Sequence, residues 1–180
     1  PFRFSLGSYN SPSAPKILIA GCGTGQQVIN VASRYQKANI LAIDLSINSL
    51  SYAIRKSQEL GFNNITFAQG DIMYLDDFNQ TFDLIESVGV LHHLENPLLG
   101  WKILRDLLRP NGLMKIGLYS RLARKHIEIG RSKFPKSKET ISLDDIRNFR
   151  QQVLREAENG DPNMRSISES GDFFNLSEFR

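Results

Sequence analysis

Between residues 21 and 25 the chain reads Gly-Cys-Gly-Thr-Gly, and Asp44 stands 23 residues after the first of these glycines. Glycines spaced this closely let a backbone turn sharply and approach a ligand, and an acid at that distance can accept hydrogen bonds from both hydroxyls of a ribose. Asp71 offers a second carboxylate downstream. Loop and acids together suit the capture of a nucleoside; the plainer alternative is a tight turn flanked by surface acids. A dinucleotide fingerprint would need its third glycine at position 26, where Gln26 stands.

Other reactive groups carry less. His92 and His93 are neighbours and cannot both enter one small site from a regular element; one of them is expected to line a substrate. His126 completes the histidines without metal-like spacing, so no metal is expected. Cys22 is the single cysteine, which excludes an internal disulfide and makes a reducing cytoplasm the expected compartment. A net charge of +3 is too small to argue for nucleic acid, and no apolar run approaches the roughly 20 residues of a membrane span. Seven Lys/Arg in 121–138 surround Glu128 and read first as a solvated face.

The elements that must position these groups follow from periodicity. Residues 1–15 form a Ser/Pro-rich lead-in without period. Apolar runs at Lys16–Ala20, Asn39–Leu45, Ile65–Asp71, Phe82–Gly89 and Leu113–Tyr119 predict five strands. Between them lie helical periods. One from Gln26 places Val28, Val31, Ala32 and Tyr35 inward. One capped by Ser46 places Ile47, Leu50 and Ile54 inward and closes at Gly61. One capped by Asn96, with Pro97 first, buries Trp101, Leu104 and Leu108 before Arg109–Gly112 breaks it. Strands alternating with crossover helices make a doubly wound, Rossmann-like α/β sheet over residues 16–120.

Residues 121–180 hold Lys/Arg and Asp/Glu at about twice the density of the first 120, which predicts a helical cap or insertion. Helices are expected over Arg121–Phe134 and Leu143–Glu158, the latter with Ile146, Phe149 and Val153 on one side. Asn159–Ser170 reads as loop, and Phe173, Phe174, Leu176 and Phe179 should dock on an apolar surface.

The stretches ILIAGCGTGQ (17–26), AIDLS (42–46), QGDI (69–72), FDLIESVGVLHHLENP (82–97) and LRPNGLMKIGLYS (108–120) resemble the class I S-adenosylmethionine-dependent methyltransferases, in their order and spacing. The resemblance covers the first two thirds of the chain. It implies that Gly21, Gly23 and Gly25 wall the methionine and ribose with backbone, with Cys22 an ordinary loop residue. Asp44 would hold the ribose hydroxyls and Leu45 would lie along the adenine. Asp71 would accept from the adenine amino group, Ile72 would pack on the ring, and Ser87, Val88 and Gly89 would border the sulfonium. The family places an acid where this chain has Ile19; Glu86 is expected to supply that charge to the cofactor's amino group.

The implied reaction moves a methyl group from S-adenosylmethionine to an acceptor by in-line displacement, leaving S-adenosylhomocysteine. Glu86, His92 and Tyr119 are the candidates for a base. The acceptor is expected to be a small molecule or a protein, with neither nucleic acid nor membrane as partner; Glu86-Ser87-Val88-Gly89 in place of the Asn/Asp-Pro-Pro-aromatic box disfavours DNA-amino and protein-glutamine enzymes. The alternatives are an NAD-type dinucleotide-dependent oxidoreductase and a catalytically inactive methyltransferase-like binding domain, which Ile19 favours. The family also implies strands six and seven beside strand five, and neither is visible. The segment after Ser120 is therefore expected to cover the cleft, and the chain to be a fragment flanked by further sequence. Made alone, it is expected to be poorly stable or self-associating and to lack turnover.

Overall fold

Five short aliphatic runs build the centre of this protein. In a computed structural model, which describes residues 12–120, 122, 124–133, 142–170 and 173, they are β1 (Lys16–Ala20), β2 (Asn39–Asp44), β3 (Ile65–Gln69), β4 (Phe82–Val88) and β5 (Leu108–Gly117). All neighbours are parallel, in the order β3-β2-β1-β4-β5. The doubly wound α/β architecture is as expected. β1 lies between β2 and β4, so the winding reverses there and opens a crevice at the strands' carboxyl ends.

Burial explains the composition of β1. Ile17 and Ile19 pack on one sheet face with Val28 and Val31, and Leu18 and Ala20 pack on the other with Ile43, Ile85 and Leu104. A strand covered on both sides has no polar face to alternate with. Each fully buried aliphatic side chain contributes roughly 1.5–3 kcal/mol.

Three helices join the strands: α1 (Gln26–Arg34), α2 (Ile47–Glu59) and α3 (Pro97–Asp106). Ser46 caps α2 by accepting from Ser49 N at 3.2 Å, and Asn96 caps α3 by accepting from Leu99 N at 3.1 Å. The helix starts are as the sequence predicts, but the buried faces are rotated. In α2 the inward residues are Leu50, Ala53 and Ser57, while Ile47 and Ile54 are exposed. In α3 they are Gly100, Ile103 and Leu104; Trp101 is 40 % exposed and Leu108 belongs to β5. Tyr35 is likewise exposed, as the C-cap of α1. The reason is close approach: a Cβ on Gly100 would run into Leu94, and one on Gly25 would stand 2.7 Å from Ala53 Cβ. The smallest residues sit at the tightest seams and push the bulky ones to the flanks.

β5 also departs from the reading. It starts at Leu108 rather than Leu113 and ends before Leu118 and Tyr119, and Arg109–Gly112 is a bulge inside it. Between the pairs Phe82↔Leu108 and Leu84↔Leu113, five residues of β5 advance against two of β4, with Asn111 at φ 65°. Asp83, buried at this irregularity, accepts from Lys16 N at 2.8 Å and pairs with the Arg109 guanidinium.

The chain divides into two compact units, residues 1–118 and 119–180. The second holds α4 (Lys125–Lys133), α5 (Leu143–Glu158) and α6 (Pro162–Ser168), and no strand among its described residues. Phe149, Val153 and Ala157 of α5 pack with Met164 and Ile167 of α6 and with Phe173, and Ile127 and Ile129 of α4 lie against them. Helix α6 stands where the sequence reads as loop. Gly160, at φ 94°, ends α5 with N–H bonds from Gly160 and Asp161 to the Ala157 and Glu156 carbonyls, and Asp161 then caps α6 ahead of Pro162. Residues 1–11, Arg121, Phe134, Phe174, Leu176 and Phe179 lie outside the described residues. No helix among the described residues is long and apolar enough to cross a membrane.

Lys133 of α4 ties this unit together electrostatically, reaching Glu156 at 2.5 Å and Asp161 at 3.0 Å. Its hydrogen bonds hold both carboxyls below the usual carboxylate range and hold the ammonium's pKa above its ordinary value. All three side chains are about one third exposed, so salt screens the pairs. Depressed acids stabilise above their unfolded pKa and lose that contribution as pH falls through the folded one; the raised lysine loses its share only at strongly alkaline pH. Lys133→Met should therefore melt below the parent at pH 7 in low salt. The difference should shrink in 1 M salt and fade as pH drops below the usual carboxylate range and through the lowered folded-state values of the two acids, as thermal melts followed by circular dichroism would show.

Candidate cofactor-binding site

The glycine loop is shaped by what β2 offers it. The N–H groups of Gly21 and Cys22 both donate to the Ile43 carbonyl at 2.9 Å, and Gly23 N donates to Asp44 Oδ2 at 2.7 Å. Asp44 Oδ1 accepts from Ser46 N at 2.9 Å, at the start of α2. One carboxylate thus fixes both the turn after β1 and the helix after β2. Gly25, at φ 89°, ends the loop against Ala53, where any side chain would be strained and obstructed.

Beside this loop lies a cleft of about 180 Å³, lined by Gly21, Asp44, Leu45, Gly70, Asp71, Ile72, Gly89, Val90, His93 and Leu94. Asp71 caps the 3-10 turn Ile72–Tyr74, its Oδ1 accepting from Met73 N at 2.9 Å, and its Oδ2 makes no hydrogen bond among the described residues. The cleft therefore offers two carboxylates and the apolar side chains of Leu45 and Ile72, which fits an adenosyl group: acceptors for ribose hydroxyls and an exocyclic amine, and surface for a flat ring.

The candidates from sequence do not all meet in one place. Gly21, Asp44, Leu45, Asp71, Ile72 and Gly89 meet in the cleft. Cys22 and Gly25 are buried in the loop, Gly23 is half-buried there, and Ser87 is fully buried on the sheet face opposite Glu86, its Oγ without a hydrogen-bond partner. Val88 ends β4, 41 % exposed. Of the histidine pair, His93 lines the cleft, and the half-buried His92 ring packs against it with centroids 4.2 Å apart. Tyr119 belongs to the second unit, with the Arg124 guanidinium 3.9 Å from its ring centroid.

Gly70, Val90 and Leu94 were not singled out from sequence, although all three fall within or beside the quoted stretches. Gln27 carries no signal in the sequence. Its Nε2 donates to the buried Glu86 Oε2 at 2.6 Å, and Lys115 Nζ reaches the same oxygen at 3.2 Å. Nothing local marks a glutamine in a helix's first turn as the partner of a strand residue 59 positions away.

Residues 13–161 match the family described as Methyltransferase domain. The chain belongs to that methyltransferase family. It is of the class I, S-adenosylmethionine-dependent type. Over 143 residues this methyltransferase domain is 36 % identical to an uncharacterized protein of Synechococcus sp., covering 79 % of this chain and 33 % of that protein. It is 35 % identical over 102 residues to the trans-aconitate 2-methyltransferase of Deinococcus radiodurans, covering 56 % and 36 %. The structure of PKMT2 from Rickettsia typhi in complex with AdoHcy shares its fold, with a TM-score of 0.73 and 22 % identity over 93 % of this chain and 35 % of that one. The chain thus spans about one third of the length of these relatives.

Burial first, and then the nearby Asp44 carboxylate, push the Cys22 thiol up to about 12. It stays protonated at neutral pH, and a protonated thiol is a poor nucleophile. In the native protein at pH 8, Cys22 should react with a disulfide reagent at least about 100-fold more slowly than the same thiol in denaturant, read by absorbance of the released thiolate.

Proposed function

We propose that the cleft between Asp44 and Asp71 binds S-adenosylmethionine and that the chain serves methyl transfer to a small-molecule or protein acceptor. The observation that carries the reading is the convergence of two carboxylates from β2 and from the turn after β3 on one cleft beside the glycine loop. Asp44 already accepts one backbone N–H on each oxygen, and each oxygen has a second lone pair to offer the ribose hydroxyls. Asp71 Oδ2 takes the adenine amino group, and Leu45 and Ile72 flank the ring. The bound cofactor supplies a methyl group made electrophilic by its sulfonium. The protein's part is to hold the acceptor in line and keep water out. Of the two adjacent histidines, His93 lines the cleft and is the one assigned here to meet an acceptor. Similarity to a trans-aconitate methyltransferase supports a small-molecule acceptor.

Isothermal titration with S-adenosylmethionine, S-adenosylhomocysteine and NAD tests the reading. The first two should bind and NAD should not; binding of NAD alone, or of none, would overturn it. Asp44→Ala should weaken S-adenosylhomocysteine at least about tenfold, since charge-assisted hydrogen bonds contribute roughly 1.5–3 kcal/mol each. It should also lower the melting temperature, because the Gly23 and Ser46 N–H groups lose their acceptor. Unchanged affinity would remove Asp44 from the site.

A further inference from the structure

One row of side chains crosses the sheet just below the glycine loop. Register pairs Phe67 with Ala42, Ala42 with Ile19, Ile19 with Glu86, and Glu86 with Lys115. In-register residues of parallel strands project to the same face, about 4.8 Å from strand to strand. Glu86 is therefore the immediate neighbour of Ile19, two residues before the loop, on the α1 side of the sheet. Its side chain is 9 % exposed, while that of Lys115 is 59 % exposed. Gln27 and Lys115 both donate to Oε2, and Oε1 accepts nothing among the described residues.

Resting on the cofactor reading above, we propose that Glu86 and Lys115 form a clamp for the zwitterionic amino-acid end of the cofactor. Glu86 Oε1 takes the α-ammonium, Lys115 takes the α-carboxylate, and Gln27 is the positioning residue that holds Oε2. A lone cation brought to Glu86 would meet the Lys115 ammonium at close range. A zwitterion brings its own anion, so the four charges alternate and each has an opposite neighbour. A buried acid already contacting an exposed ammonium in the same row is the arrangement that such a ligand complements. The pair thereby selects for an intact α-amino acid, not for a positive charge.

Titration of the full 180-residue chain with three probes tests this: S-adenosylhomocysteine, its decarboxylated amine, and 5′-methylthioadenosine, which has neither charged group. Lys115→Met should weaken S-adenosylhomocysteine about five- to tenfold, leave methylthioadenosine within twofold, and bind the amine as well as the parent does or better. The modest figure reflects the exposure of Lys115. Glu86→Gln should weaken both the zwitterion and the amine about tenfold or more and spare methylthioadenosine, and Gln27→Met should do the same to a smaller degree. Equal changes for all three probes, or none, would make the row merely structural and overturn the clamp. If methylthioadenosine failed to bind the parent as well, the cofactor reading would fall with it. The Lys115 side chain is exposed, so its variant keeps the test informative even if the Glu86 variant does not fold.

Discussion

The Asp44 carboxylate is the constraint on which the rest of the site depends. It accepts from Gly23 in the loop after β1 and from Ser46 at the head of α2, while the adjacent Ile43 carbonyl takes the N–H groups of Gly21 and Cys22. Four donors from two connections are thereby satisfied at the end of one strand. Without that acceptor set the loop would be a flexible glycine tract whose ordering any ligand would have to supply. With it, the loop is held in place before a ligand arrives, and Gly25 can seat Ala53 of α2 at van der Waals range. Binding geometry and helix packing are consequences of the same group.

A second aspartate does comparable work at the opposite end of the strands. Asp83 joins the first residue of β1 to the bulge in β5 through Lys16 N and Arg109. The two acids differ in what surrounds them. Asp83 is buried and engaged wholly by protein, whereas Asp44 is half-buried and faces the cleft. That contrast separates an acid that holds the sheet from one that also receives a ligand, although both stand at strand ends with similar hydrogen-bond partners.

What the sequence disclosed and what it hid divide along physical lines. Strands β1 and β2 are legible because a strand buried on both faces is a nearly continuous apolar run, whereas β3 has Thr66, Ala68 and Gln69 exposed and β4 carries Asp83 and Glu86. The starts of α2 and α3 are legible because Ser46 and Asn96 cap locally. Apolar periodicity misplaces the helix phase at Trp101, Ile47 and Ile54, because these large residues flank seams that belong to Gly100 and Ala53. Helix α6 was missed even though Asp161-Pro162 repeats the Asn96-Pro97 signature, because seven residues are too few to display a period. In the cleft, Asp44 and Asp71 are readable from their places at strand ends, and Leu45 and Ile72 only through the resemblance to the family. Gln27 and Lys115 were not, since their meeting with Glu86 depends on strand register and on where α1 crosses the sheet.

The bulge in β5 gives this architecture slack. Above it, Met114 and Ile116 are pinned by the apolar cluster they pack against, so the alignment of Lys115 with Glu86 is set independently of how many residues precede it. Arg109–Gly112 lets the strand absorb a difference in chain length without passing it upward. Homologues should vary in length at this point while keeping the phase of the residues above it. A missing or added residue after Leu113 has no such outlet: it would turn Lys115 to the other face and carry an apolar neighbour into the charged row.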